Sequence, residues 1–185
     1  TQKLKAALIN LNFLTVEFDI AVRPGQTITA KGYDDVEFLI STNPGESLKP
    51  LSQVASGGEL SRIMLAIKTV LAGRDEIDTL IFDEIDTGIS GRTAWKVAEQ
   101  LSVLSGAHQV ICITHLPQIA AMADVHFIIE KSSTDDMTIT DIHKVAEEES
   151  LAELARLLGS DALTEAALSN AKEMKEQANG FKEAR

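Results

Sequence analysis

The sequence has few aromatic residues, few prolines and a single cysteine. Aromatic residues make up 4% of its 185 residues, whereas hydrophobic residues make up 44%, so aliphatic side chains must fill the core. Four prolines and eleven glycines are too few for a fibrous or low-complexity chain. The lone Cys112 excludes a disulfide framework and a cysteine-based zinc cluster. We therefore expect a single globular core in a reducing, cytoplasmic environment.

Long apolar runs and an excess of basic residues are also missing. No run approaches the roughly 20 apolar residues of a membrane helix, and no signal peptide pattern is present. The chain has 17 Lys and Arg against 28 Asp and Glu, a net charge of −11. This acidic balance disfavours nonspecific wrapping of nucleic acid. We expect no membrane partner, and any DNA contact through other parts of the complete protein.

The first residues predict the end of a longer helix. Leu4, Leu8 and Leu11 are spaced by four and three residues, as in a helix that faces a partner helix. The pattern begins at Thr1 without an initiator methionine. We therefore expect that residues 1–12 continue a helix that starts upstream.

A short antiparallel β section is predicted next. Apolar residues recur at every second position from Phe18 to Val22, and strand-like composition returns at residues 36–40. Between them, Arg23-Pro24-Gly25-Gln26 is typical of a turn. The pattern predicts two strands with a turn at residues 23–26.

The middle of the chain predicts parallel strands. Continuous apolar segments at residues 79–82 and 109–114 alternate with helical patterns at 93–104 and 116–123, and uninterrupted apolar strands indicate burial on both faces. The other predicted elements are a strand pair at 125–130 and 137–143, and helices at 151–158 and 161–178. The predicted fold class is α/β, with a mostly parallel sheet, flanking helices and the short antiparallel section near the start.

The segment Ser56-Gly57-Gly58-Glu59 begins a helix with apolar residues at 60, 63, 64, 67 and 71. Ser56 and Glu59 fit a capping box. Two consecutive glycines weaken a helix start unless the backbone must approach something closely, and bare amides at a helix N-terminus bind anions. The residues leave both interpretations open, a helix cap and a phosphate site.

Two carboxylates, Asp83 and Glu84, follow the apolar strand Leu80-Ile81-Phe82. In an open parallel sheet, ligands bind at the carboxyl ends of the strands. Asp83 as a Mg²⁺ ligand and Glu84 as the group that activates water form a coherent pair. The alternative is a strand end that emerges into solvent. The polar residues 86–88 that follow fit a ligand loop or a simple turn.

His115 follows the second continuous apolar strand. Parallel neighbours lie about 4.8 Å apart, so we expect His115 and the two carboxylates to share one edge of the sheet. The alternative is a structural histidine. His108, His126 and His143 lack comparable support and are expected to be surface or core residues.

Three stretches together resemble ATP-binding-cassette ATPases. Residues 56–62 resemble the signature motif, 80–86 the Walker B strand with its D-loop, and 114–118 the H-loop. Glu59 with the following Leu-Ser-Arg, the loop Asp-Thr-Gly-Ile-Ser-Gly at 86–91 and His-Leu-Pro-Gln at 115–118 resemble the RecN family of bacterial DNA-repair proteins, in the SMC-like branch. The resemblance covers about residues 38–158, and Ser160 departs from a glycine that is common in that family.

No Gly-x-x-x-x-Gly-Lys-Ser/Thr phosphate loop occurs in these residues. In the resembled family, that loop lies in an N-terminal lobe, separated from this lobe by a long coiled coil. The resemblance therefore implies the end of that coil at residues 1–12 and the C-terminal lobe of a split ATPase head at 13–185. Its partners would be the N-terminal lobe, a second head in an ATP-dependent homodimer, and DNA through the complete protein.

The resemblance also implies a role for each site residue, with ATP and Mg²⁺ as cofactors. Asp83 would hold Mg²⁺, Glu84 would polarise the attacking water, and His115 would contact the γ-phosphate. The nucleotide of a second head would meet the signature residues and the D-loop, which are Ser56, Gly57, Gly58, Glu59 and Asp86. Arg62 would connect the signature and Walker B regions, or form a surface ion pair.

The family acts in DNA double-strand break repair and recombination, which implies a cytoplasmic, nucleoid-associated protein whose isolated lobe is inactive. Two alternatives remain at this point. The stretch Asp83-Glu84-Ile85-Asp86 also fits the D-E-x-D box of helicases, although these need an upstream phosphate loop of their own. A catalytically silent cassette lobe used for dimerisation is the second alternative.

Overall fold

A computed structural model describes residues 2–13, 15–30, 32–54, 56–72, 74, 76–133, 137–159 and 163–184. They form two compact units, residues 1–114 and 115–185. The helices are α1 Gln2–Asn10, α2 Gly57–Leu71, α3 Gly91–Ser105, α4 Pro117–Met122, α5 Glu147–Leu157 and α6 Glu165–Glu183. The strands are β1 Glu17–Thr29, β2 Gly32–Ser41, β3 Lys49–Pro50, β4 Thr79–Phe82, β5 Gln109–Cys112, β6 Phe127–Ser133 and β7 Thr138–Lys144. The predicted α/β class is confirmed.

Helix α1 packs against α2 in the first unit. Leu4, Leu8 and Leu11 are all buried, so the predicted seam has a partner helix within this chain. The continuation of α1 into a coil at residues 1–12 stays a prediction.

Strands β1 and β2 form the predicted antiparallel section, but the turn predicted at residues 23–26 is wrong. Strand β1 runs through this segment to Thr29, and the register shifts between Pro24 and Thr29. Pro24 lacks an N–H for the ladder, and a Cβ on Gly25 would collide with the carbonyl oxygen of Tyr33. These residues therefore mark an irregularity inside a long strand and not its end.

The buried face of α2 differs from the predicted stripe. Ile63 and Ile67 are buried as predicted, whereas the side chains at 60, 64 and 71 are 37 to 43% exposed. The helix contacts both α1 and α3. At 100° per residue, its buried face is therefore centred on Arg62 and Ala66.

Strands β4 and β5 are parallel neighbours, as predicted, with Phe82 opposite Cys112. Their predicted burial on both faces is wrong. Leu80 and Phe82 are buried, but the opposite face is open, with Ile81 68% exposed and Ile111 44% exposed. The parallel section among the described residues is limited to this pair, and the sheets β1-β2-β3 and β6-β7 are antiparallel.

Among its described residues, the second unit contains the antiparallel strand pair β6-β7 and the helices α4, α5 and α6. Its predicted strand pair is confirmed, with Phe127 opposite Lys144, while Ser160 and the predicted helix start at Asp161 lie outside the described residues. The Lys175 ammonium of α6 donates to the carbonyls of Ala121 and Ala123, at 3.0 and 2.9 Å. None of the helices in the described segments is long and apolar enough to cross a membrane.

Candidate active site at the start of helix α2

The first turn of α2 has one half of the predicted capping box. Ser56 is the N-cap residue, and its hydroxyl accepts a hydrogen bond of 3.4 Å from the backbone amide of Glu59. Such a bond satisfies one of the free amides at a helix start. The capping interpretation is therefore correct for Ser56, but it does not explain the two glycines that follow.

The two glycines are explained by the loop at residues 83–88, which lies directly on the start of α2. A Cβ on Gly57 would collide with Oε2 of Glu84. A Cβ on Gly58 would lie 2.9 Å from the Cβ of Thr87 and 3.0 Å from the carbonyl oxygens of Glu84 and Thr87. The sequence predicts that something comes close to the backbone of these glycines. In this structure it is the loop at residues 83–88 of the same chain.

The loop at residues 83–88 begins with a tight, strained turn. Asp83 and Glu84 are exposed, and Oδ1 of Asp83 accepts a hydrogen bond of 2.9 Å from the amide of Glu84. Glu84 has φ 58°, in the left-handed region that non-glycine residues seldom adopt. Its carbonyl accepts from the amide of Thr87 at 3.0 Å. Both carboxylates thus emerge together at the carboxyl end of β4.

Two side chains of α2 hold the backbone of this loop. The hydroxyl of Ser61 donates to the carbonyl of Asp83 at 2.9 Å. Nη1 of Arg62 donates to the carbonyls of Ile85 and Thr87, at 3.1 and 2.9 Å. Arg62 is only 7% exposed, which decides between its two predicted roles: it connects the signature-like and Walker-B-like segments and is not a surface ion pair.

Asp86 is an internal residue of the first unit. It is 3% exposed, and its Oδ2 accepts a hydrogen bond of 2.6 Å from the hydroxyl of Thr114. Thr114 follows β5, whose continuation is anchored where the amide of Ile113 donates to the carbonyl of Phe82 at 3.0 Å. Asp86 and Thr114, which follow β4 and β5, therefore meet at one edge of the parallel pair.

The histidines fall into different settings. His115 is the first residue of the second unit, and its place beside the two carboxylates stays a prediction. His108 is buried with Nδ1 2.6 Å from the carbonyl oxygen of Ile77. Nδ1 of His126 lies 2.8 Å from the hydroxyl of Ser150, and a hydrogen bond to Glu149 raises the pKa of the exposed His143. The last three are core and surface residues, as predicted.

The donor set fits Mg²⁺ that arrives with a nucleotide better than a metal held by the protein alone. Within the described parts of the chain, no group of three or more His, Cys, Asp or Glu side chains is placed to hold a metal ion. Mg²⁺ in nucleotide sites is bound by one or two carboxylates together with substrate phosphates and water. The exposed carboxylate of Asp83 at a strand end meets that requirement.

The chain is similar to DNA repair proteins named RecN from several bacteria. It is 42% identical over 181 residues to the protein of Halalkalibacterium halodurans, covering 98% of this chain and 32% of the relative. It is 48% identical over 155 residues to that of Bacillus subtilis, covering 84% and 27%. It is 54% identical over 143 residues to that of Treponema pallidum, covering 77% and 25%. The chain thus spans between a quarter and a third of the length of these relatives.

The solved structures that it resembles are heads of SMC proteins. The Smc head domain with a coiled coil and joint from Pyrococcus yayanosii matches with a TM-score of 0.58 and 20% identity, covering 84% of this chain and 28% of that one. The Smc head domain with an extended coiled coil from Pyrococcus furiosus, bound to the C-terminal domain of ScpA, matches with a TM-score of 0.54 and 20% identity, covering 85% and 37%. The chain therefore shares its fold with part of these Smc head domains.

No protein-family profile matches the sequence. The individual relatives are nevertheless consistent with one another, since each is a RecN protein and each is at least 42% identical to this chain. Together with the head-type fold, they show that the chain is similar to a segment of the RecN DNA-repair proteins over most of its own length.

Proposed function

We propose that this chain is the C-terminal lobe of a split ATPase head that acts in DNA double-strand break repair and recombination. It would supply the signature segment at 56–59, the Walker B carboxylates, the D-loop and the H-loop. The phosphate loop, which is missing from these residues, would come from an N-terminal lobe. The lobe is then half of a nucleotide site.

The observation that carries this proposal is the contact between the start of α2 and the acidic loop after β4. The glycines at 57 and 58 bring helix amides directly against the segment that carries Asp83 and Glu84. Free amides at a helix start favour anions, and the carboxyl end of a parallel strand is where α/β proteins bind ligands. A nucleotide with Mg²⁺ is a ligand that suits both features.

Each residue would contribute a separate part of the chemistry. When bound, Mg²⁺ neutralises negative charge on the phosphates. The Asp83 carboxylate would hold the ion, and the Glu84 carboxylate would accept a hydrogen bond from the attacking water and orient it. His115 would donate a hydrogen bond toward the γ-phosphate.

The signature segment would act on a nucleotide held by a second head. The hydroxyl of Ser56 and the amides of Gly57 and Gly58 are donors at the start of α2. The backbone amide of Glu59 donates a hydrogen bond to the Ser56 hydroxyl and so keeps the helix start in place. The D-loop that contains Asp86 would lie at the same interface. The buried Asp86 carboxylate accepts a hydrogen bond from the Thr114 hydroxyl, which fixes this loop. Hydrolysis would then depend on pairing of two heads.

The open face of the β4-β5 pair supports an N-terminal lobe as partner. Ile81, Ile111 and Ile113 are 68, 44 and 47% exposed, although their strands have the continuous apolar pattern of a sheet covered on both faces. The matched relatives are at least three times as long as the matched segment. We propose that a lobe formed by the remaining residues of such a protein covers this face.

The acidic balance of the chain supports DNA contacts through other parts of the complete protein. Asp and Glu outnumber Lys and Arg by 28 to 17, which disfavours strong binding to phosphate backbones. The lobe would therefore drive conformational change in a nucleoid-associated protein and not read DNA itself. The head-type fold counts against the helicase alternative.

Replacing the Glu84 carboxylate, with a matched control at another glutamate, tests the proposal. In the complete protein, Glu84→Gln should lower the kcat of ATP hydrolysis by about 100-fold or more while ATP binding persists. Glu76→Gln makes the same chemical change at an exposed position of the same unit and should leave kcat unchanged. The isolated 185-residue chain should hydrolyse ATP negligibly.

Three results would contradict the proposal. Normal repair in cells by Glu84→Gln would favour the silent lobe that serves only dimerisation, and unchanged ATP hydrolysis by this variant would mean that Glu84 does not orient the attacking water. Robust, Mg²⁺-dependent hydrolysis by the isolated chain that Glu84→Gln abolishes would mean that the chain is a complete enzyme and not half of a site.

A further inference from the structure

Arg62 is a buried cation whose guanidinium donates hydrogen bonds to two backbone carbonyls of the loop at 83–88. Nη1 donates to Ile85 at 3.1 Å and to Thr87 at 2.9 Å. Its guanidinium lies 5.8 Å from the ring centroid of Phe13. Burial lowers the pKa of Arg62, whereas Glu59 and Asp86 favour its charged form, and a guanidinium stays charged in proteins.

Joining a helix to a loop through a buried charge has a high desolvation free energy. Apolar residues of similar volume often stabilise a fold at least as well as buried ionic groups do. What the guanidinium provides is geometry, because one planar group fixes two carbonyls that are two residues apart. Arg62 therefore sets where the loop lies along α2.

The group whose position matters most in this loop is Glu84. Its carboxylate lies beside Gly57, at the start of α2, in this structure. An anion that approaches the amides of Gly57 and Gly58 would come close to the Glu84 carboxylate, and the two negative charges would repel each other. If the loop backbone is held, the repulsion rotates only the Glu84 side chain. If the backbone is free, the whole loop shifts and the Glu84 carboxylate is no longer positioned to orient the attacking water.

We propose that Arg62 is a positioning residue that holds the backbone of residues 83–88, so that a phosphate at the start of α2 moves the Glu84 side chain alone. This inference rests on the proposed function and deepens it, because it assigns the link between the signature segment and the carboxylate that orients water. Ser61 supports the same link through its bond to Asp83.

The test compares three variants of the complete protein. Arg62→Met removes the donors and keeps a long side chain over Phe13. Arg62→Lys keeps a charge and donors on a different stem. Leu65→Ala, at a fully buried position of the same helix, lowers stability without removing a donor to the loop. Each is measured for kcat, KM, ATP-driven pairing of heads, and amide hydrogen exchange.

Arg62→Met should lower kcat by about 100-fold, the scale of a misplaced catalytic group, with KM and head pairing nearly unchanged. Arg62→Lys should recover part of this loss. The amides of Thr87 and Ile89, which donate to carbonyls within the loop, should exchange at least tenfold faster in Arg62→Met, while α2 stays protected. Leu65→Ala should show none of these changes per folded molecule.

The outcomes separate this inference from the proposed function. An active wild type whose kcat is the same in Arg62→Met would overturn the inference and leave the function standing. An inactive wild type would overturn the function, and hydrogen exchange would still decide the structural part of the inference. Unchanged exchange at Thr87 and Ile89 in Arg62→Met would show that Arg62 does not hold the loop.

Discussion

The carboxylate of Asp86 accepts a hydrogen bond of 2.6 Å from the hydroxyl of Thr114, and Asp86 is 3% exposed. This bond joins the loop after β4 to the residue after β5. Thr114→Val keeps the shape of the side chain and leaves the buried carboxylate with one donor fewer. We expect the free energy of unfolding to fall by about 1–3 kcal/mol, measured by urea denaturation.

The control for this substitution is Thr79→Val. The Thr79 hydroxyl donates to Oε1 of Gln109 at 2.9 Å between the same two strands, but at an exposed position. Its loss should change stability by less than about 0.5 kcal/mol. Equal losses from both substitutions would mean that the bond to Asp86 has no special importance for the fold.

Gly58 and Gly180 should respond in opposite ways to alanine. A Cβ on Gly58 would lie 2.9–3.0 Å from atoms of Glu84 and Thr87, whereas nothing lies within 4 Å of a Cβ on Gly180 in α6. We expect Gly58→Ala to destabilise the chain by about 1–3 kcal/mol through overpacking. Gly180→Ala should stabilise it by about 0.5–1 kcal/mol, because alanine loses less conformational entropy in a helix. Thermal unfolding of both variants would measure this, and a neutral Gly58→Ala would show that the loop does not press on α2.

Gly57 and Gly58 show what can and cannot be predicted from the sequence. Two glycines at the start of a strongly periodic helix predict that something comes close to the backbone, because no local reason favours them. The neighbour itself, the loop at 83–88, is distant in the chain and cannot be identified from a local pattern. The same limit applies to Arg62, whose two predicted roles differ only in tertiary contacts.

Two errors in the fold prediction have a comparable origin. Pro24 and Gly25 normally signal a turn, but they are also tolerated where a long strand loses register, and local composition does not distinguish these cases. The apolar pattern of β4 and β5 predicts cover on both faces, whereas Ile81 and Ile111 are exposed in this chain. Under the proposed function, an N-terminal lobe would cover the open face, and a local pattern in this chain does not show which residues supply that cover.

Cys112 should be a slow nucleophile in the folded chain. Burial, followed by the charges of Asp86 and Asp83, raises its pKa from 9.0 to about 12. Thiolate is the reactive form, so at pH 8 the folded chain should react with iodoacetamide roughly 1,000-fold more slowly than the urea-unfolded chain, since three pKa units separate them.

Because a raised thiol pKa favours the folded state only while the thiol is protonated, its contribution to stability is complete below about pH 9 and is lost as the pH rises toward 12. Equal alkylation rates in the two states would contradict this placement of Cys112.

Ser56 allows the helix cap to be separated from the proposed signature role. Aspartate is as good a cap as serine, and its charge suits a helix N-terminus. In Ser56→Asp the introduced carboxylate comes one residue before Gly57, beside which Glu84 lies, but Glu84 is exposed and salt screens repulsion at such positions. We therefore expect the melting temperature of Ser56→Asp to stay within a few degrees of the wild type.

The same substitution should abolish function in the complete protein. If the Ser56 hydroxyl and the amides of Gly57 and Gly58 approach a γ-phosphate across a pair of heads, the added charge repels the nucleotide at close range. ATP-driven dimerisation and hydrolysis should then be lost, while each head's own phosphate loop still binds nucleotide. Thr164→Asp is the matched control, because the Thr164 hydroxyl caps α6 by the same bond, accepting from the amide of Ala167 at 3.2 Å, and it should leave both activities intact. Wild-type hydrolysis by Ser56→Asp would mean that the segment at 56–59 is a helix cap and that the proposed role in trans is wrong.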